Sequence, residues 1–152
     1  MSYQVKLVDF ETVLPVWQNK LWPGRQSPIK PMSSMTFDEQ YDMSIYENYE
    51  PFFWAVYHDN EVVAVNSGHL TNAEEFRSRG LYTDPGHRGQ GLASQLLNEL
   101  ILCAEAVGAQ RVWTVPRKGS EHAYLKAGFE LVGDWFDKGM EFGPNIMAVR
   151  EV

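Results

Sequence analysis

Apolar residues recur along the chain with two different periods, and the switches between those periods divide it into strands and helices. Over Tyr3 to Phe10 apolar and polar residues alternate through Tyr3, Val5 and Leu7, with Val8 following, which predicts a first strand. From Glu11 to Leu21 the apolar positions Val13, Leu14, Val16, Trp17 and Leu21 keep near-helical spacing, and Pro23-Gly24 ends the predicted helix. Gln26 to Pro31 is rich in turn formers. Ser33 to Tyr49 carries Met35, Phe37, Tyr41, Met43, Ile45 and Tyr46 among polar residues and reads as a second, looser helix. Aromatic and β-branched runs at Phe52 to Tyr57 and Val62 to Val65, around the polar His58-Asp59-Asn60-Glu61, predict a hairpin. In a further strand, Glu75 to Tyr82, alternation puts Glu75, Arg77, Arg79 and Leu81 on one face and Phe76, Ser78, Gly80 and Tyr82 on the other. Neither face is purely apolar, and a charged strand beside a glycine-containing loop is expected to line a site rather than fill a core.

After the turn Asp84-Pro85-Gly86, the segment Gln90 to Val107 is the strongest helix, with Leu92, Leu96, Leu97, Leu100, Ile101, Cys103, Ala104 and Val107 on one wide apolar face and Gly108 as its stop. A short strand, Gln110 to Val115, is closed by Pro116. Ser120 to Ala127 is a short helix closed by Gly128, and Phe129 to Phe136 is another strand. Past the loop Asp137-Lys138-Gly139, a last strand runs from Asn145 to Val152. No repeat, linker or low-complexity run interrupts this order, so residues 1–152 read as a single domain. The strand-loop-helix-strand unit from Glu75 to Val115 is expected to be a right-handed crossover.

Composition narrows the function classes. Apolar residues at 44% and aromatics at 13% belong to a folding chain. A net charge of −7 argues against nucleic acid or an anionic membrane as main partner and suits a neutral or basic small molecule. The single cysteine, Cys103, excludes an internal disulfide and is expected as a buried thiol among Leu and Ala. No run approaches the ~18 apolar residues of a membrane span, and the start Met-Ser-Tyr-Gln-Val-Lys lacks a leader pattern, so a cytoplasmic location is expected. His58, His69, His87 and His122 show no metal-ligand spacing, so no metal is expected.

The chemistry concentrates in Leu81-Tyr82-Thr83-Asp84-Pro85-Gly86-His87-Arg88-Gly89-Gln90-Gly91-Leu92-Ala93, a strand end, a loop and a helix start. The first amides of a helix lack acceptors and sit at the positive end of its dipole, so this order makes an anion site. Gly89 and Gly91 let backbone approach a ligand, and Arg88 adds charge. Dinucleotide and nucleoside-triphosphate loops do not fit. G-x-G-x-x-G is absent, Gln110 and Arg111 stand where a ribose-binding acid would, and Gly-Lys-Ser/Thr is missing.

Arg88-x-x-Gly91-x-Ala93, preceded by Leu-Tyr-Thr-Asp-Pro, resembles the Gln/Arg-x-x-Gly-x-Gly/Ala signature of the GNAT superfamily of N-acetyltransferases. Downstream, Ala123-Tyr124-Leu125-Lys126-Ala127-Gly128-Phe129 resembles that family's Tyr-x-Lys-x-Gly-Phe segment; Ser120 departs from the Asn common there. Element order agrees from Phe52 to about Phe136, and elsewhere only the general plan does. The resemblance implies a mixed α/β (α+β) fold of the GNAT acyl-CoA N-acyltransferase type: a central, mostly antiparallel sheet with one parallel strand pair, flanked by helices. It implies acetyl-CoA (coenzyme A) as cofactor and direct transfer of acetyl to a primary amine of a small molecule or peptide. The pantetheine arm would pair along Leu81, Tyr82 and Thr83, an oxyanion would meet a backbone N–H near Leu81, and the pyrophosphate would meet Arg88, Gly89, Gln90, Gly91, Leu92, Ala93 and Ser94. Tyr124 is the implied acid for the leaving thiolate, with simple packing of the short helix as its alternative. Glu75 is the candidate base, its alternative being a pair with a nearby arginine or simple exposure to water. The Trp22 to Tyr49 region corresponds to the part that covers the acceptor. A transferase using a longer acyl-CoA and a non-catalytic CoA-binding module stay open, as does a homodimer.

Overall fold

The computed structural model describes residues 2–137 and 141–152, so the predicted loop Asp137-Lys138-Gly139 lies, from Lys138 onward, outside the described residues. The strands are β1 (Gln4–Val8), β2 (Phe52–His58), β3 (Glu61–Leu70), β4 (Glu75–Thr83), β5 (Arg111–Thr114), β6 (Glu130–Phe136) and β7 (Asn145–Glu151), and the helices α1 (Phe10–Val16), α2 (Ile45–Asn48), α3 (Leu92–Ala106) and α4 (Glu121–Lys126). All strands join one sheet in the order β1-β2-β3-β4-β5-β7-β6. Neighbours are antiparallel except β4 and β5, which are parallel. This is the mixed sheet with one parallel pair that the resemblance implies, and α3 supplies the crossover that parallel neighbours require.

Each face of the sheet has its own core. Leu92, Leu96, Leu97, Leu100, Ile101 and Ala104 of α3 pack on Trp54, Val56, Phe76 and Val112. On the other face Val13, Val16 and Trp17 pack on Phe53, Ala55 and Val65. Successive residues of β2 therefore enter opposite cores, which is why its sequence is apolar throughout rather than alternating.

Two elements differ from the sequence reading. The stretch Ser33 to Tyr49 is an irregular loop, closed by a bridge between Met35 and Tyr41, with helix only at Ile45–Asn48. Its short polar side chains take backbone N–H groups that a helix would need: Ser33 Oγ accepts from Met35, Thr36 Oγ1 from Gln40, and Asp42 Oδ1 from Ser44. The first helix also changes form. Pro15 cannot donate within α1, and the chain widens into a π turn at Trp17–Leu21, closed by the Trp22 N–H on the Trp17 carbonyl at 2.8 Å.

The feature that shapes the site is a bulge in β4. Val65 lies opposite Tyr82 and Ser67 opposite Arg79, so Gly80 and Leu81 together face the single residue Asn66. Gly80 has φ +83°, and a Cβ there would lie 2.4 Å from the ring of Trp17. The indole Nε1–H of Trp17 donates to the Gly80 carbonyl at 2.9 Å. The extra residue reverses the alternation: Arg77 and Arg79 belong to the α1 face, whereas Leu81 packs with the α3 core and Tyr82 with the α1 core. The expectation that Leu81 shares a face with Arg79 is thus corrected by one inserted residue. Toward β5, pairing covers only Glu75 to Arg77 against Arg111 to Trp113, while β4 continues to Thr83. The strands part, and among the described residues the β5-side edge of β4 beyond Arg77 has no strand partner.

Gly80→Ala should destabilise the protein by about 2–4 kcal/mol, from left-handed strain plus overpacking on Trp17. Urea denaturation measures it, and a loss under about 0.5 kcal/mol would show that the bulge can rebuild without glycine.

Candidate active site

Where β4 and β5 part there is a cavity of about 530 Å³, within the ~300–1,000 Å³ usual for small-molecule sites. Arg77 to Leu81 of β4 form one wall, and Thr114 with the following Val115, Pro116 and Arg117 the other. Tyr124 enters from α4 beside Ser120, and Trp22, Arg25, Met35 and Tyr41 close the α1 side. The loop expected to cover the acceptor does line this cavity.

Tyr124 is buried with its ring edge-on to Phe129 at 5.1 Å, and its hydroxyl lies 2.9 Å from Ser78 Oγ. Asn66 Nδ2 donates to the same Ser78 oxygen at 3.1 Å, so the phenol ends a buried polar chain. Desolvation pushes its pKa up against the hydrogen bonds from Ser78 and Thr114 and the charge of Arg77, which keeps it a proton donor at neutral pH. The ring packs on Phe129, as the packing alternative expects, and Tyr124 also lines the cavity.

Glu75 is placed differently. It opens β4, accepts from Asn72 Nδ2 and pairs with Arg111 at 3.3 Å, and it is not among the residues lining the cavity. The structure does not bring it to Tyr124; it realises the arginine-pair alternative.

The arginines of the same strand take the place that Glu75 was expected to hold. Arg77 and Arg79 are both buried on the cavity wall. Arg77 stacks on Trp113 at 4.9 Å, and Arg79 on Trp17 at 5.1 Å and Trp22 at 5.3 Å. Desolvation, the largest cause, lowers their pKa values to about 10 and about 9. The sequence reading expected this charged strand to line a site and gave the two arginines no individual role; the structure puts both on the cavity wall. Glu141 is the only carboxylate lining the cavity among the described residues. It accepts from the Gln26 N–H at 2.6 Å and from the N–H and hydroxyl of Ser27, which hold its pKa low.

Beneath the arginines, buried His69 accepts the Ser33 N–H on Nε2 at 3.4 Å and places Nδ1 3.0 Å from the Leu70 carbonyl. Burial first, then the charges of Arg77 and Arg79, push its pKa down to about 3.

Past the far end of β4, a turn at Pro85–His87 and the two glycines lead into α3, which starts at Leu92 rather than at the expected Gln90. Arg88 Nε donates back to the Thr83 carbonyl at 3.0 Å. Gly89 and Gly91 both have φ +79°, and a Cβ on either would meet nothing within 4 Å. Gly91 caps α3, whose first bond runs from the Gln95 N–H to the Gly91 carbonyl, so the amides of Leu92, Ala93 and Ser94 have no acceptor within the helix. Leu92 buries its side chain in the core and can offer only its amide, while Gln90 is exposed. His87 is engaged with the Tyr3 hydroxyl at 3.0 Å. Amides without an intrahelical acceptor at a helix start are the groups that a phosphate can use.

The sequence matches the model of the acetyltransferase (GNAT) family over residues 16–129. No curated protein matches it. Solved structures share the fold at low identity. A GNAT family acetyltransferase of Elizabethkingia anophelis with acetyl-CoA bound is 16% identical, with 99% of this chain and 98% of that one covered and a TM-score of 0.62. The PaiA N-acetyltransferase of Thermoplasma acidophilum, in complex with coenzyme A, is 14% identical over 100% of both chains, with a TM-score of 0.66. The IAA acetyltransferase of Bacillus cereus is 13% identical over 99% of this chain and 100% of that one, with a TM-score of 0.67.

The neutral state of His69 sets a pH dependence. Its folded pKa lies below its unfolded value, so between pH ~6.5 and about 3 the folded chain binds fewer protons and stability falls as pH falls. From pH 7 to pH 5 this group alone should remove about 2 kcal/mol. Urea titrations at both pH values should show that excess loss in the wild type relative to His69→Gln; equal losses would place the imidazole in contact with water.

Proposed function

Because the chain belongs to the GNAT acetyltransferase family, we propose that it transfers the acetyl group of acetyl-CoA to a primary amine of a small molecule or peptide by direct attack in a ternary complex. The observation that carries this reading is the free edge of β4. It runs from the cavity, past Leu81, to Thr83, so one strand links the buried phenol to the glycine loop that leads into α3.

Acetyl-CoA supplies the activated acetyl thioester. Backbone groups of Leu81, Tyr82 and Thr83 on the free edge pair with the pantetheine arm as an added strand would. The loop amides from Arg88 to Ser94 hold the pyrophosphate. A backbone N–H near Leu81 receives the charge that develops on the carbonyl oxygen under attack. The new C–N bond forms as the C–S bond breaks, Tyr124 gives its proton to the departing sulfur, and the amine loses its own to solvent. A free alkylamine of pKa ~10.4 is almost wholly protonated at pH 7. The positive charges of Arg77 and Arg79 favour its neutral form, which is the form that attacks. That electrostatic aid serves where Glu75, held by Arg111, does not reach, and where the hydrogen bonds on Glu141 make it a weak base.

Two measurements test the reading. Calorimetric titration with acetyl-CoA should give saturable heat with the wild type, weakened at least about 100-fold in Gly91→Glu, where bulk and negative charge enter the cradle while the Cβ meets open space. No heat with a folded wild type would remove the proposal. Tyr124→Phe should lower kcat about 100-fold, near the lower end of general-acid effects because a thiolate leaves readily, with the KM for acetyl-CoA unchanged. An unchanged kcat would confine Tyr124 to packing.

A further inference from the structure

Two positive charges sit in the acceptor half of the cavity without a counter-charge. Arg77 and Arg79 leave the same face of β4, and among the described residues no salt bridge reaches either. The Nε–H of Arg77 is buried with no acceptor. Arg79 gives one N–H to the Lys30 carbonyl at 2.8 Å. The guanidinium carbon of Arg77 lies over the ring of Trp113, and that of Arg79 over the rings of Trp17 and Trp22. Contacts of this kind hold a cation in place and bring it no counter-charge.

Neither charge escapes by deprotonation: burial lowers the two pKa values to about 10 and about 9, still above neutral. Buried cations and orphaned buried donors are rare enough in folded proteins to need a reason. No reason is found within the chain, since Glu141, the one acid on the cavity wall among the described residues, is committed to Gln26 and Ser27. Coenzyme A does not supply one either. Its pyrophosphate would lie at the loop past Thr83, at the other end of the free edge, and its pantetheine arm is uncharged.

We propose that the acceptor amine carries an anionic oxyacid group, carboxylate or phosphate, which Arg77 and Arg79 bind together; an amino acid is the simplest molecule of this class. The inference rests on the acetyl-transfer reading above for what happens at the nitrogen, while the anion site stands on the arginines alone. Residues two apart on one strand face are about 6–7 Å apart at the backbone, a spacing from which two guanidiniums converge on one oxyacid group. The same pair repels an acceptor that is only a cation. A zwitterionic acceptor gains twice, because its anion is bound and its ammonium is pressed to lose the proton that blocks attack. Local charge therefore reverses the preference for neutral or basic ligands that the net charge of −7 suggests.

The test compares matched acceptors on the full chain at saturating acetyl-CoA. The panel holds the twenty amino acids, their α-amides, their decarboxylated amines, and phosphoethanolamine beside ethanolamine. The best substrates should be anionic, with loss of the oxyacid group lowering kcat/KM about 10- to 100-fold. Carboxylate and phosphate sources are told apart by which series leads. R77M and R79M should each erase that preference while still binding acetyl-CoA, and R77K, which keeps charge but loses the fork, should restore part of it. Amides or decarboxylated amines that react as well as the acids would overturn the proposal. Should nothing in the panel turn over, calorimetry decides with the same compounds and CoA-saturated protein. Heat that R77M abolishes upholds the anion site, and its absence with every anion overturns it. Acetyl-CoA failing to bind would sink the acetyl-transfer reading, and R77M-sensitive anion binding to the chain alone would still show the arginine site to be real.

Discussion

The indole N–H of Trp17 holds the Gly80 carbonyl at 2.9 Å, at the point where β4 gains one residue on β3. Trp17 is placed there by a π turn that follows Pro15, and its ring fills the space a Cβ at position 80 would need. The bond anchors β4 from the α1 side just as the strand leaves β5. A regular β4 paired along its whole length would close the gap between Arg77 and Thr83, and with it the cavity. The parallel contact is only three residue pairs long, so most of the strength of β4 in the sheet comes from β3.

Much of this was legible along the chain. The apolar face of α3 was readable because six of its positions are buried in one core with helical spacing, and the place of the glycine loop because it sits between a strand and that helix. What escaped depends on contacts the linear order does not display. Ser33 to Tyr49 has helical spacing of apolar residues, yet its Ser, Thr and Asp side chains satisfy the local backbone first. The face of Leu81 could not be read, because one inserted residue reverses a period of two. Glu75 looked like a base from its place on the strand; its partner Arg111 stands on the next strand, brought beside it only by the parallel register.

The arginines illustrate a related limit of composition. A chain with 20 acidic and 13 basic residues is expected to repel anions at long range. Inside the splay the low dielectric gives weight to the few charges that line it, and there Arg77, Arg79, Arg25 and Arg117 face one committed glutamate. Screening reduces the influence of distant surface acids on that pocket to little within about 10 Å of salt solution. Net charge describes the exterior, and the site carries the opposite sign.

The reversal of alternation at Gly80 also divides the labour of β4. Arg77 and Arg79 look into the chamber on the α1 side; beyond the bulge, Leu81 joins the other core and the backbone edge takes over. Side chains on one stretch and main chain on the other are inherited under different rules. Replacing residues 77 and 79 can change what enters the α1 chamber without disturbing the edge, since the edge is built from groups every amino acid possesses. A lineage carrying this bulge can therefore exchange one partner molecule for another by a pair of codon changes while its hold on the second stays as it was.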